Sequence, residues 1–328
     1  MKIALIGPGI IPIPPKGWGA VEILIWDYYN ELIKLEHDVD IINIIRENNN
    51  DSNANTEYSK NLIRVLNEKE YDFVHLHYDV LYHILPFLKC SKIAITSHYP
   101  YIDQIDKHQS DGYDKVFEFL IKQNKFYNFV LSDKDLNTFI KYGASPESIK
   151  KISNGIDSKL FHFSENIVLD KTIYLGKITS RKNQYKYQDI LNINFVGSNA
   201  DNNFFTNRSN YLGEWSREQI HNNLTHYSNL LLISEGEADP LVVKEALIAG
   251  LGVVINESSS ENLDKNLDFI TIINDDKIND LEYIENKINE NKKISIEKRK
   301  EIREYGISNF DIKSQIEKYI DIINNLFI

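Results

Sequence analysis

The stretch that decides the fold spans residues 229–248 and has the sequence NLLLISEGEADPLVVKEALI. Four of its first five residues are apolar, which is typical of a strand covered on both faces of a parallel sheet. After a short acidic turn, apolar residues recur at helical spacing from Leu241 onward. Asp239 is a suitable N-cap and Pro240 a suitable first helical residue, so the pattern predicts a helix that begins there. A strand followed directly by a helix indicates an α/β fold with a parallel sheet.

The same alternation of short apolar runs and helical patterns extends to both sides of this stretch. In the second half of the chain, strands are predicted at residues 172–175, 193–196, 229–233 and 252–255. In the first half, strands are predicted at residues 2–6, 39–45, 72–77, 93–96 and 129–131. The sequence therefore predicts an α/β protein with two Rossmann-like, doubly wound domains that face each other across a cleft. Ligands bind beyond the carboxyl ends of the strands in such sheets, so the residues after each strand are the candidates for function.

The domain boundary is predicted at the turn AsnGlyIleAsp, residues 154–157. Before it, Ser132 and Asp135 have the spacing of a capping box that opens a helix. A chain of 328 residues suits two domains of about 150 residues each, here 1–155 and 156–310, followed by a final helix at 311–328. The polar stretch 46–59 is expected to be a loop or a frayed crossover.

Composition limits the partners and the compartment. The formal net charge of −11 would repel nucleic acid and anionic lipid, so no nucleic-acid partner is expected. Cys90 is the single cysteine, which leaves no intramolecular disulfide and favours a reducing compartment. The apolar run at 3–6 is broken by glycine and proline, unlike a signal peptide, and no apolar stretch approaches the roughly 20 residues of a membrane span. We expect a cytoplasmic protein, whose contact with the inner face of a membrane would be peripheral.

The loop after the first strand combines glycines with prolines. Gly7 and Gly9 match the start of a GxGxxG dinucleotide fingerprint, but Pro12 stands at the third position, so a nicotinamide or flavin cofactor is not expected. Further along, Gly17 and Gly19 would let the backbone approach a ligand closely. A plain connection without a ligand is the alternative.

Three cations follow the predicted strand at residues 172–175, namely Lys177, Arg181 and Lys182. When the bond between a sugar and a diphosphate breaks, negative charge develops on the leaving group, and fixed cations stabilise that charge without a metal. A solvated basic turn is the alternative.

The acidic turn at 234–239 and the helix after it offer a second set of candidates. The predicted helix start, formed by Asp239, Pro240 and Leu241, would present backbone N–H groups and a positive dipole end to an anion. Glu245 would lie about one and a half turns into the helix, where its carboxylate could accept hydrogen bonds from ribose hydroxyls. Glu237 would face the sugar. A simple preference of acidic residues for helix N-termini would explain Glu237 and Asp239, but not Glu245.

Histidines at or near strand ends are candidates for catalytic groups and for metal ligands. His98 follows the predicted strand at 93–96. A lone histidine is more often structural, but the position of His98 at the carboxyl end of a strand favours a functional role as much as a structural one. His75 and His77 share one strand face without a third ligand in view. The AspXaaAsp patterns at 38–40 and 133–135 enter a strand and cap a helix. No metal site is therefore predicted.

Taken in order along the chain, these motifs resemble glycosyltransferase family 4. Glu237 and Glu245 have the family's spacing of two glutamates separated by seven residues. The loop ProProLysGlyTrpGly at 14–19, with Glu22 soon after, and the AsnGlyIleAsp turn are similar to the family's motifs. The pair of Lys177 and Lys182 is similar as well. The resemblance covers nearly the whole chain.

The resemblance implies a GT-B fold and a retaining, metal-independent transferase of polysaccharide biosynthesis. It would use a nucleotide-diphosphate sugar as donor substrate, no cofactor, and a glycan or lipid-linked acceptor. The first domain would serve the acceptor, the second would bind the donor, and the helix at 311–328 would cross back to the first domain. The resemblance assigns His98 and Glu237 to the reacting sugar, and the remaining site residues to donor binding: Gly17, Gly19, Lys177, Arg181, Lys182, Asp239, Pro240, Leu241 and Glu245.

The sequence also departs from the family pattern. Lys177 stands where the family usually has arginine, and Ala20 where it has a second glycine. Asp239 and Pro240 stand where it has Phe-Gly. The departures leave a second hypothesis open, namely a GT-B protein that binds a nucleotide sugar or a glycan without transferring it.

Overall fold

The computed structural model describes residues 1–46 and 55–326. The chain divides into two compact units, each of which contains one parallel β-sheet. The first unit comprises Met1–Pro15, Gly19–Asn154 and the C-terminal segment that begins at Ile312; the second comprises Lys16–Trp18 and Gly155–Asp311. Most of the polar stretch predicted as a loop at 46–59 lies outside the described residues, and its end is helical from Glu57.

The first unit contains a six-stranded sheet in the order β2-β1-β3-β4-β5-β6. All of its strand pairs are parallel. The strands are β1 (Lys2–Ile6), β2 (Asp38–Ile42), β3 (Phe73–Leu76), β4 (Ile93–Thr96), β5 (Tyr127–Val130) and β6 (Ile149–Lys151). The sequence did not predict β6, because a three-residue edge strand with two lysines has no apolar run.

The second unit contains a five-stranded sheet in the order β11-β10-β9-β7-β8, again with parallel pairs. Its strands are β7 (Thr172–Leu175), β8 (Ile193–Val196), β9 (Asn229–Leu232), β10 (Gly252–Asn256) and β11 (Ile270–Ile273). The unpredicted β11 is also an edge strand, and its two middle residues are only partly buried. The predicted fold class, α/β with two Rossmann-like parallel-sheet domains, is confirmed.

Helices connect the strands in both units. They are α1 (Ala20–Lys34), α2 (Glu57–Glu68), α3 (Ile105–Ser110), α4 (Asp114–Lys122), α5 (Asp133–Lys141), α6 (Gln184–Tyr187), α7 (Arg217–Asn223), α8 (Leu241–Ile248), α9 (Leu281–Glu297), α10 (Arg299–Phe310) and α11 (Ile312–Asn325). Short 3-10 helices lie at Asp79–Phe87, Pro146–Ser148, Ser158–Leu160, Ser180–Lys182, Leu224–His226, Glu257–Ser259 and Asp275–Lys277. The predicted cap of α5 is confirmed, since the Ser132 side chain accepts from the Asp135 amide at 3.1 Å. No helix within the described ranges combines the length and the apolar character needed to cross a bilayer.

The first sheet is buried on both faces. Along β1, Ala4 and Ile6 belong to one apolar cluster, whereas Ile3 and Leu5 belong to another. Alternate side chains of a strand point to opposite faces, so the two clusters lie on the two sides of the sheet. This arrangement explains why the strand sequence is continuously apolar rather than alternating.

The C-terminal helix α11 completes one of these two clusters. Tyr319 is fully buried there, and its ring lies edge-on to that of Tyr28 with the centroids 5.0 Å apart. The Tyr319 hydroxyl and Nδ1 of His75 on β3 are 3.1 Å apart, within hydrogen-bonding distance. The last helix of the chain therefore belongs to the core of the first unit, although the second unit precedes it in sequence.

Replacing Tyr319 should separate its two contributions to stability. Tyr319→Phe leaves the buried His75 nitrogen without its partner and should lower the free energy of unfolding by about 1–3 kcal/mol. Tyr319→Ala also creates a cavity and should cost about 3–5 kcal/mol. Lys318→Ala, on the exposed side of the same helix, should stay within about 0.5 kcal/mol of the parent. Urea denaturation measures all three, and equal losses for the two Tyr319 variants would contradict the hydrogen bond.

Candidate functional site

The turn after β7 holds its backbone in place through one side chain. Gln184 accepts a hydrogen bond from the Thr179 amide at 3.2 Å and donates one to the Lys177 carbonyl at 3.1 Å. Lys182 folds back over the strand end, where its ammonium group would lie 3.2 Å from a Cβ atom at Gly176. The predicted cationic turn is thus a fixed structure at the carboxyl edge of the second sheet.

The loop after β9 meets this turn, because β9 and β7 are neighbours in the sheet. Oε1 of Glu237 lies 3.1 Å from Nη1 of Arg181 and 3.4 Å from Nζ of Lys182. The Arg181 guanidinium also donates to the Gly236 carbonyl and reaches the Ser234 hydroxyl at 3.3 Å. Three of the predicted site residues, Arg181, Lys182 and Glu237, are therefore in direct contact.

Glu237 is ionised in this arrangement. Burial by itself would raise the pKa of the Glu237 carboxyl, but the positive charges of Lys182 and Arg181 outweigh that effect and the pKa is lowered. Three cations, Lys177, Arg181 and Lys182, follow β7, and the loop after the neighbouring β9 carries Glu235 as well as Glu237. Clustered cations of this kind can hold an anionic ligand although the whole chain is acidic.

Lys177 lies apart from the Glu237 contacts. Its ammonium group is 4.5 Å from the ring centroid of Trp18, a cation–π contact. Trp18 and Gly17 pack with the second unit, and a Cβ atom at Gly17 would lie 2.7 Å from a carboxylate oxygen of Glu214. Gly19 belongs to the first unit, where it caps α1.

These contacts place a short piece of the N-terminal segment with the second unit. The segment Lys16–Trp18 clusters with the second unit, while the residues on both sides of it cluster with the first. The physical reason is the attraction between Lys177 and Trp18, together with the hydrogen bond from the Arg217 amide to the Lys16 carbonyl at 3.3 Å. Sequence distance does not reveal such contacts.

Glu245 is buried on α8 and has a cationic partner. Its Oε1 accepts a hydrogen bond from Nη2 of Arg217 at 2.7 Å, and only 4% of the Glu245 side chain is exposed. Nη2 of Arg217 is also 3.2 Å from Nε2 of His221. Arg217 is not among the predicted site residues. The one local signal was the capping box of Ser216 and Gln219, which opens α7 and sets the position of Arg217.

The start of α8 differs from the prediction. The helix begins at Leu241 with Pro240 as its N-cap, so Asp239 as N-cap and Pro240 as first helical residue are wrong. The Asp239 carboxylate instead pairs with the ammonium of Lys244 at 2.6 Å, and both side chains are almost completely buried. Asn262 donates a further hydrogen bond to Asp239 at 3.1 Å. A buried ammonium group needs a counter-charge, and that requirement overrides the preference of aspartate for the cap.

Because α8 begins at Leu241, the backbone donors at its N-terminus differ from those that the sequence predicted. Pro240 has no backbone N–H, so it cannot donate to a ligand. Donation at this end depends on the amides of Asp239 and of the first helical residues from Leu241, supported by the helix dipole.

His98 lies at the carboxyl end of β4 in the first unit. Its ring is stacked with that of His77, with the centroids 6.0 Å apart. Nε2 of His98 is buried and has no hydrogen-bond partner among residues 1–46 and 55–326. Burial lowers the pKa of His98 to about 4, so the ring is neutral at pH 7. A neutral imidazole with a nitrogen to spare can exchange a hydrogen bond with a ligand hydroxyl.

The neighbouring His75 is a core histidine. Its Nε2 is 2.7 Å from the Thr96 hydroxyl and its Nδ1 is 3.1 Å from that of Tyr319, so both nitrogens are occupied. Within the described part of the chain, no three His, Cys, Asp or Glu side chains are placed to hold a metal ion together.

The fold is that of GT-B glycosyltransferase structures, to which the chain is similar over almost its full length. It matches sucrose-phosphate synthase from Thermosynechococcus elongatus with a TM-score of 0.75 at 15% identity, over 99% of both chains. It matches WaaG, a glycosyltransferase involved in lipopolysaccharide biosynthesis, with a TM-score of 0.72 at 16% identity, over 98% of this chain and 99% of WaaG. The structure of Anabaena Alr3699/HepE in complex with UDP and glucose gives a TM-score of 0.71 at 13% identity, over 99% of this chain and 100% of the other.

Comparison by sequence identifies no relative of the chain. No protein-family model matches it, and no curated protein matches it significantly. At 13–16% identity, the structural matches establish the fold alone.

Stability should fall on acidification because of the buried histidines. His98 has an ordinary pKa of 6.5 and a folded pKa of about 4, so between these values the unfolded chain binds more protons than the folded one. Stability is therefore lost as the pH falls from 6.5 toward 4. His98→Asn should reduce the slope of the unfolding free energy between pH 6 and pH 5 by about 1 kcal/mol per pH unit. Denaturant titrations at several pH values measure the slope, and an unchanged slope would show that His98 titrates normally in the folded protein.

Proposed function

We propose that this chain is a retaining glycosyltransferase of family 4. It transfers a sugar, of hexose type, from a nucleotide-diphosphate sugar to a glycan or lipid-linked acceptor without a metal ion. One observation carries the proposal: Arg181 and Lys182 converge on the buried Glu237 at the carboxyl edge of the second sheet. Glu245, which completes the family's spacing, lies on the helix that follows and is held by Arg217.

The cations supply the electrostatic part of the reaction. As the bond between the sugar and the diphosphate breaks, Lys177, Arg181 and Lys182 stabilise the charge that develops on the leaving phosphate oxygens. Their positions are set before the substrate binds, since Gln184 fixes the turn and Glu237 orients two of the three side chains. Little reorganisation is then needed during the reaction.

Glu245 and the loop before α8 recognise the rest of the donor. The Glu245 carboxylate accepts hydrogen bonds from ribose hydroxyls, and the hydrogen bond from Arg217 holds that carboxylate in one orientation. Glu237, together with the backbone from Asp239 to Leu241, binds the donor sugar. Gly17 and Gly19 let the loop backbone approach the donor closely.

Retention of configuration follows if attack and departure occur on one face of the sugar. The acceptor hydroxyl attacks from the side on which the diphosphate leaves, through a transition state that resembles an oxocarbenium ion. A leaving phosphate oxygen takes the acceptor proton. His98, neutral at physiological pH, hydrogen-bonds a hydroxyl of the transferred sugar.

The biological setting is proposed from the structural matches and from the composition of the chain. WaaG acts in lipopolysaccharide biosynthesis and Alr3699/HepE was crystallised with UDP and glucose, which supports a role in polysaccharide biosynthesis with a nucleotide-sugar donor. The single cysteine favours the cytoplasm. A lipid-linked acceptor would bring the protein to the inner face of a membrane through peripheral contact.

A second candidate function is binding of a nucleotide sugar or glycan without transfer. The observation in its favour is Pro240, which removes one backbone donor from the start of α8, while Asp239 is engaged by Lys244. Weaker binding of the donor sugar would lower the rate of transfer more than it would lower the affinity for the nucleotide.

Substitutions in the second unit should separate catalysis from binding. Lys182→Ala removes a cation that acts mainly on the leaving group and should reduce kcat about 100- to 1000-fold. Glu245→Gln keeps the shape of the side chain but loses its charge, and should weaken nucleotide-diphosphate binding about tenfold. Lys186→Ala, on the adjacent α6, is the matched control and should change neither value. Calorimetry with UDP, GDP and ADP, and transfer assays with their sugars, give the two measurements.

The outcome also decides between the two candidate functions. If both variants bind and turn over the donor like the parent, the site assignment is wrong. If the parent binds a nucleotide sugar but neither transfers nor hydrolyses any member of the panel, the binding function replaces the transferase.

A further inference from the structure

Arg46 is a buried cation of the first unit that the proposed reaction does not use. It follows β2 at the carboxyl edge of the first sheet, and only 8% of its surface is exposed. In the part of the chain that the structure describes, neither Nε nor Nη2 of Arg46 has a hydrogen-bond partner, and both atoms are buried. A buried charged group without partners is costly, so these two donors call for a ligand.

Other buried cations of the chain are satisfied, which makes Arg46 unusual. Arg299 is 2% exposed and donates to the carbonyl groups of Ser164, Tyr227 and Thr225. Lys244 is 1% exposed and pairs with Asp239. No described residue forms an ion pair with Arg46.

The Arg46 guanidinium is held in place by its surroundings. Its central carbon lies 5.1 Å from the ring centroid of Tyr78 and 5.8 Å from that of Tyr58. The Arg46 amide donates to the Gly9 carbonyl at 2.8 Å. A Cβ atom at Gly9 would lie 2.4 Å from the Ile44 carbonyl and 3.2 Å from Cγ of Arg46, so only glycine permits this approach. The side chain is thus preorganised for binding.

The two unpartnered atoms define the shape of the ligand. Nε and Nη2 form one edge of the planar guanidinium and present two parallel N–H groups. Such a fork matches two oxygens of a single carboxylate or phosphate group, in a bidentate charge-assisted pair. A single neutral acceptor would leave one of the two donors unsatisfied.

We propose that Arg46 binds an oxyanion, a carboxylate or phosphate group carried by the acceptor. The assignment to the acceptor rests on the proposed transferase function; the oxyanion site itself does not. Arg46 follows β2 and His98 follows β4 at the same edge of one sheet, so a charged group held by Arg46 would anchor an acceptor there. The enzyme would then select acidic acceptors over neutral ones.

Binding of small acidic sugars to the full chain tests this proposal. The probes are glucose 6-phosphate, glucuronate and neutral glucose, each titrated by calorimetry into the parent protein, Arg46→Gln and Arg46→Lys. We expect at least one acidic sugar to bind, and Arg46→Gln to weaken that binding about tenfold or more. Glucose should bind weakly to all variants. Arg46→Lys keeps the charge but loses the fork, and should give an intermediate affinity.

Two controls separate this site from general charge effects and from the donor site. Arg64→Gln removes an exposed arginine of the same unit, one that pairs with Glu68, and should leave acidic-sugar binding unchanged. Lys182→Ala removes a cation of the second unit and should also leave it unchanged. Titrations are run below the unfolding midpoint of each variant, and Arg46→Lys serves if Arg46→Gln does not fold.

Three results would overturn the proposal. They are equal affinity of the parent and Arg46→Gln for the acidic sugars, no detectable binding of either acidic sugar to the parent, and loss of binding in Lys182→Ala rather than in the Arg46 variants. The stronger of the two acidic sugars identifies the group as phosphate or carboxylate. Because the readout is binding, it stays informative if transfer is never observed, and failure of the transferase assays does not affect it.

Discussion

The contact of Arg181 and Lys182 with Glu237 is the interaction that organises the charged edge of the second sheet. Two like charges on one short turn repel each other, and the ionised carboxylate between them makes their close approach favourable. The contact exists because β7 and β9 are neighbours in the sheet although some fifty residues separate them. The neighbouring Arg217–Glu245 pair is a second contact between a guanidinium group and a buried carboxylate.

The buried titratable side chains of the first unit are arranged differently. Three of its histidines, His75, His77 and His98, are held neutral by burial, and His75 satisfies both ring nitrogens inside the core. The Arg46 guanidinium lies beside the rings of Tyr78 and Tyr58, and its Nε and Nη2 have no hydrogen-bond partner among the described residues. The first unit thus combines neutral imidazole rings with a buried guanidinium group, whereas the second unit pairs its cations with buried carboxylates. The two units therefore differ in how their charged groups are paired.

Most of the fold was predictable because parallel strands buried on both faces are short continuous apolar runs. The strands at 93–96, 172–175 and 193–196 were predicted with their observed limits. β6 was missed because two of its three residues are lysines, and β11 was missed although three of its four residues are isoleucines. The candidate cations and Glu237 could be predicted from their place after strands, since strand ends meet at one edge. Arg217 could not, because its role comes from a contact with Glu245 across 28 residues.

The amino-acid sequence by itself determined the α/β class, the two parallel sheets and the positions along the chain where charged residues follow strands. These features depend on local periodicity and on turn residues, which act over a few positions. Only the tertiary structure decided which charges meet. Asp239 pairs with Lys244 instead of capping α8, and Lys177 lies over Trp18. Nε and Nη2 of Arg46 have no hydrogen-bond partner among the residues that the structure describes. Electrostatic pairing and burial depend on distances between segments far apart in the chain, and those distances exist only after the strands have been ordered within each sheet.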